Sequence, residues 1–142
     1  MTDGDERQFV DTNVLVYAHD SSAGPRHERA REVLRALWDS GAGCLSIQVL
    51  QEFYVVVTKK VPKPLAPVDA QRLISDLAAW TVHSPSADDI LRAIEIQETY
   101  RVSFWDAMVV RSASQLGCAT MLSEDLGAGQ VYEGVRVVNP FV

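Results

Sequence analysis

Residues 8–18 read Gln-Phe-Val-Asp-Thr-Asn-Val-Leu-Val-Tyr-Ala. The first apolar residues suit a short strand. Asp11-Thr12-Asn13 suits its end, where polar side chains cap the next element. Outward from this stretch the period changes. Between Glu28 and Asp39, residues Ala30, Val33, Leu34, Leu37 and Trp38 recur on one face of an amphipathic helix, which Gly41 and Gly43 close.

The alternation continues to the end of the chain. Cys44-Leu45 reads as a short strand, and Ser46 caps a helix running to about Lys60 through Val49, Leu50, Phe53 and Val57. Pro62, Pro64 and Pro67 mark a break, and Pro67 opens a helix carrying Leu73, Ile74, Leu77 and Trp80. Thr81 to His83 is a weak strand. Ser86-Ala-Asp-Asp forms a capping box, with Asp in the usual Glu position, ahead of Ile90, Leu91, Ala93 and Ile94. Ser103 caps a helix from Phe104 to Leu116, stopped by Gly117. Ala119 to Leu122 and Val135 to Val138 are the last strands. Strands alternating with helices predict an α/β domain, with a largely parallel sheet covered on both faces. Such sheets bind ligands beyond the carboxyl ends of their strands. Asp11 and Asp125 stand at two such ends.

A chain of 142 residues suits one domain, and 47% hydrophobic with 23% charged residues suits a soluble globular protein. Residues 1–7 are polar and acidic, which predicts a flexible tail and argues against a signal peptide. No apolar run has the length of a membrane span, so a cytoplasmic location is expected. Cys44 and Cys118 lie in apolar runs, lack zinc-site spacing, and read as small buried hydrophobes in a reducing compartment. The net charge of −6 weighs against simple adhesion to nucleic acid. A carboxylate cluster that binds divalent cations would account for part of it.

Four acids stand out by their surroundings. Asp11 follows Phe9-Val10. Glu52 lies in a helix otherwise rich in apolar residues. Asp106 follows Phe104-Trp105, and Asp125 follows Met121-Leu122-Ser123-Glu124. Carboxylates among apolar neighbours need a partner, and few lysines or arginines are nearby in sequence. A shared divalent metal would satisfy several at once, and would favour attack of water on phosphorus. Singly, each acid is as well explained by a helix start, a solvated helix position or a turn.

Together the residues resemble a known family. Phe-Val-Asp-Thr-Asn-Val-Leu-Val-Tyr-Ala (9–18), Ser-Ile-Gln-Val-Leu-Gln-Glu-Phe (46–53), Ser-Phe-Trp-Asp-Ala (103–107) and Leu-Ser-Glu-Asp-Leu (122–126) occur in the order of the PIN domain, closest to VapC-like toxin ribonucleases. The resemblance runs from about residue 8 to residue 142. It implies a three-layer α/β/α fold with a central, mostly parallel sheet, and Mg²⁺- or Mn²⁺-dependent hydrolysis of RNA phosphodiester bonds. It also implies that Asp11, Glu52, Asp106 and Asp125 bind metal and catalyse, with Thr12, Asn13 and Ser123 orienting carboxylates or waters. A homodimer and a cognate antitoxin protein are further implications. One departure is visible: many relatives carry a second Asp two positions after the fourth acid, where this chain has Gly127 followed by Ala128. Glu124 is the possible substitute.

Other residues carry weaker signals. Lys59, Lys60 and Lys63 read as a solvated helix end, and His19, His27 and His83 lack ligand spacing. Trp105, beside Asp106, is expected in the core or an interface, with stacking on a base as the alternative. Trp38 and Trp80 are expected on helix core faces. Two rival functions remain. One is a phosphohydrolase using Asp11 as covalent nucleophile, disfavoured because Asn13 replaces the expected second acid and no lysine follows Lys63. The other is a catalytically quiet RNA-binding or interaction module.

Overall fold

The computed structural model describes residues 7–142; residues 1–6 of the expected tail lie outside the described residues. Arg7 is tied to the body. Its carbonyl accepts from the Ala119 amide, and its guanidinium donates to Leu116 O at 2.9 Å.

The elements run β1 (Gln8–Val10), α1 (Thr12–Ala18), a 3₁₀ turn (Ser21–Ala23), α2 (Pro25–Ser40), β2 (Gly43–Ser46), α3 (Ile47–Lys59), α4 (Pro67–Leu77), β3 (Thr81–His83), α5 (Ala87–Tyr100), α6 (Phe104–Gln115), β4 (Thr120–Leu122), β5 (Val131–Tyr132) and β6 (Val135–Val138). The caps follow the sequence. Ser46 accepts from Val49 N, Ser103 from Asp106 N, and Ser86 and Asp89 cap reciprocally. Pro25 and Pro67 begin helices where no amide partner is needed. Gly41 ends α2 in the left-handed conformation that its φ of 73° requires.

The sheet order is β3-β2-β1-β4-β6-β5, parallel except at β5–β6. From β1 through β2 to β3 the chain steps one way; it then crosses back to place β4 beside β1. Right-handed crossovers put α1 to α4 on one face and α5 and α6 on the other, giving three layers. The order reverses between β1 and β4, and this is the point where such sheets hold ligands. The core includes the fully buried Phe9, Leu15, Leu45, Phe53, Ile96 and Met121. Cys44 and Cys118 are free and buried.

The Val-Leu-Val stretch after Asp11 forms α1, the element that the Asp11 cap was read as opening. Other expectations change. Trp38 is 46% exposed rather than in the core: it drifts to the edge of the α2 face and stacks edge-to-face on Trp80 at 5.2 Å. Trp80 lies beyond α4, half-buried against Gly43, where an added Cβ would stand 2.4 Å from the indole. On α5 it is Ala93 and Ile96 that are buried, while Ile90, Leu91 and Ile94 face outward. β5 is a two-residue return strand too short to carry a sequence pattern.

Candidate active site

Asp11 leaves β1 with its amide bonded to Leu122 O at 3.0 Å, which seats it beside the end of β4. One carboxylate oxygen accepts from the Thr12 amide and the other from the Ser123 hydroxyl, both at 2.8 Å. Ser123 is fully buried and does two jobs. Its Oγ donates to Asp11 and accepts from the Asp125 amide at 3.1 Å, so the turn after β4 sets both acids.

Glu52 enters from α3. Thr12, at the start of α1, donates its hydroxyl to Glu52 Oε1 at 2.7 Å. Asp106 enters from the first turn of α6, its amide bonded to Ser103 Oγ at 3.1 Å. The four expected acids thus arrive from the end of β1, from α3, from α6 and from the turn after β4. Their charges sense one another. Burial raises the Asp11 carboxyl to about 6, and the charges of Asp125 and Asp106 push the same way against the Ser123 and Thr12 hydrogen bonds. Burial also raises Asp106, helped by Asp125 and Glu52. Among the described residues no ion pair includes any of the four.

No three His, Cys, Asp or Glu side chains among the described residues converge tightly enough to enclose an ion. The donor set nevertheless fits a hard divalent cation. It is all carboxylate oxygen, and it lacks a protein counter-charge among the described residues.

Thr12 and Ser123 each bond one of the acids. Asn13 does not: both ends of its amide are buried without a hydrogen-bond partner. Glu124 is engaged elsewhere, accepting from Tyr17 Oη at 2.7 Å and pairing with Arg26 at 2.6 Å, so it does not replace the acid absent at Gly127. Of the histidines, His19 bonds Leu15 O and packs edge-to-face on Phe53, held below its ordinary pKa by burial.

Two features went unread in the sequence. Gln48, one turn before Glu52, points its amide at Glu52 Oε2 (3.5 Å) and at the carbonyl of Trp105 (3.3 Å), linking α3 to the start of α6. Its spacing of four from Glu52 was the available signal. The second lies away from the site. Asp89 is buried and accepts from Arg111 Nε at 2.8 Å, with His83 Nε2 at 3.3 Å, while His83 Nδ1 meets Ser112 Oγ at 2.8 Å. The capping box already accounted for Asp89, so nothing in the sequence called for a second role.

A family model described as PIN domain matches residues 9–134. Among solved structures, the chain is similar to a toxin–antitoxin complex from Klebsiella pneumoniae, with 20% identity over 94% of this chain and 97% of that one and a TM-score of 0.68. It is similar to VapC20 of Mycobacterium tuberculosis, a Sarcin-Ricin loop cleaving toxin, with 23% identity over 83% of this chain and 89% of that one and a TM-score of 0.65. It is also similar to a DNA-bound VapBC from Salmonella typhimurium, with 20% identity over 93% and 96% and a TM-score of 0.65. No curated protein matches the chain significantly.

Proposed function

The chain belongs to the PIN domain family, and from that premise we propose that it is a Mg²⁺- or Mn²⁺-dependent endoribonuclease, the toxin of a toxin–antitoxin pair. One observation carries the reading. Four carboxylates from four separate elements lie near enough for Asp11 to sense Asp125 and Asp106, and for Asp106 to sense Asp125 and Glu52, with no cationic side chain paired to any of them among the described residues.

Asp11, Glu52, Asp106 and Asp125 would hold the cation. Once bound, a divalent ion supplies Lewis acidity that favours attack of water on phosphorus and stabilises the departing oxygen. The chain supplies placement. Ser123 and the Thr12 amide hold both oxygens of Asp11, and the Thr12 hydroxyl holds Glu52, so the carboxylates are oriented before the substrate arrives. Asp11 and Asp106 are the acids most in need of a counter-charge, since burial already disfavours their ionised forms.

The partners fit the same reading. A groove of about 800 Å³ between α2 and α4, floored by Leu34, Leu73 and Leu77 and edged by Arg31 and Arg35, has room for an antitoxin segment. The outward Ile47, Tyr54 and Val55 of α3 offer an apolar face to a second copy. No helix among the described residues is long and apolar enough to cross a membrane, and the proposed site of action is the cytoplasm.

The test is cleavage of a mixed RNA pool by purified protein, with Mg²⁺ or Mn²⁺ and with EDTA, beside Asp11→Asn and Asp106→Asn. Metal-dependent cutting lost in both variants supports the reading. Cutting that survives both, or that EDTA leaves untouched, contradicts it.

A further inference from the structure

Trp105 stands in the first turn of α6, one residue before Asp106, and it is 63% exposed. A core role is therefore excluded, which leaves an interface contact or stacking on a base among the roles expected from the sequence. An indole so open, one residue from a carboxylate of the proposed site, leaves a large apolar face in water. It is nevertheless held. Its ring packs edge-to-face on Phe104 at 5.1 Å, and its carbonyl takes the Gln48 amide at 3.3 Å. The same amide reaches toward Glu52, so the backbone of Trp105 is referenced to both helices that carry acids.

We infer that the exposed indole of Trp105 forms a nucleobase subsite beside the carboxylates, stacking on the base of a nucleotide that flanks the cut. The inference rests on the ribonuclease reading and goes beyond it. Trp105 is the residue before Asp106, and the one Gln48 amide that meets its carbonyl at 3.3 Å also approaches Glu52 Oε2 at 3.5 Å, which keeps its backbone close to two of the carboxylates. An exposed indole at this position is offered to the bases of a strand whose phosphate is held at Asp106. The chemistry suits this chain. An acidic protein gains little from general attraction to phosphate, whereas stacking needs no charge. Every base has a π-face, so the subsite grips single-stranded RNA with little preference for sequence.

The experiment uses a single-stranded RNA oligonucleotide that the wild type cuts with Mn²⁺, and matched oligonucleotides made abasic on either side of the cut. Trp105→Ala is expected to raise KM roughly tenfold, with kcat within about twofold, and Trp105→Phe to recover most of the loss. Removing one flanking base should weaken the wild type to the level of Trp105→Ala and leave that variant indifferent. Unchanged KM in Trp105→Ala overturns the inference. So does a variant that still discriminates against the abasic strands as the wild type does. A fall in particle mass in solution with KM unchanged would assign Trp105 to a contact between copies instead, which also overturns it. Failure of the wild type to cut any RNA overturns the ribonuclease reading itself, and the subsite with it.

Discussion

Asp11 and Asp89 expose similarly little side-chain surface, 7% and 6%, but Asp11 lies deep among protein atoms and Asp89 lies near the surface, and their carboxyls move in opposite directions. Asp89 is held down at about 2: the Ser86 amide is the largest cause, joined by Arg111, the Ser86 hydroxyl and His83. Asp11 is raised to about 6 because its two hydrogen bonds do not offset burial, and its neighbours Asp125 and Asp106 add negative charge. Depth and hydrogen-bonding partners together therefore decide the direction. Asp89 closes a finished network joining β3, α5 and α6. Asp11 has acidic neighbours and no cationic partner among the described residues, the surroundings expected of the proposed cation site.

The sharpest way to break this comparison is by activity. Asp106→Asn should fold and lose about 10³-fold in RNA cleavage, since several kcal/mol of transition-state stabilisation go with the metal. Arg111→Ala acts on the other side. It leaves Asp89 buried and without its guanidinium, and urea denaturation should show a loss of about 3 kcal/mol. If Arg111→Ala were neutral in stability, Asp89 would not be the satisfied acid described.

The pH dependence sharpens the contrast. Asp11 in the fold titrates near 6, above its ordinary 3.8, so the folded state binds the proton more tightly. In metal-free protein, stability should fall as pH rises from about 4 to 6, by about 3 kcal/mol at roughly 1.4 kcal/mol per pKa unit. Asp89 has the opposite sign: its contribution is present above about pH 4 and is lost as pH falls toward 2. Denaturation in EDTA across this range reads both, and Asp11→Asn should flatten only the upper limb. An unflattened limb in that variant would remove Asp11 from the explanation. The smallest effect is expected for Gln48→Ala, which should lower cleavage by no more than about tenfold, the worth of one modest hydrogen bond.

Most of the fold could be read because its helices announce themselves locally. Ser46, Ser86 and Ser103 are caps whose partners lie three residues on, and Pro67 opens α4 as its chemistry requires. The four acids were legible because they stood beside apolar residues, and because their motifs fall in the order of a known family's. Their supports were only partly so. Thr12 and Ser123 stood within two residues of an acid, but the bond from Thr12 to Glu52 spans forty residues and exists only once α1 packs on α3. Gln48 and the pairing of Asp89 with Arg111 are likewise products of packing. The outward Ile90, Leu91 and Ile94 show the limit of periodicity, since apolar residues are common on surfaces and a stripe does not name the side that is buried.

Uptake of a cation by the unpaired carboxylates is the central claim, and calorimetric titration of the metal-free wild type with Mn²⁺, beside Asp106→Asn, tests it most directly. Saturable binding in the wild type, weakened at least about tenfold in the variant, is the predicted result. Equal binding by both proteins, or none by the wild type, would contradict it.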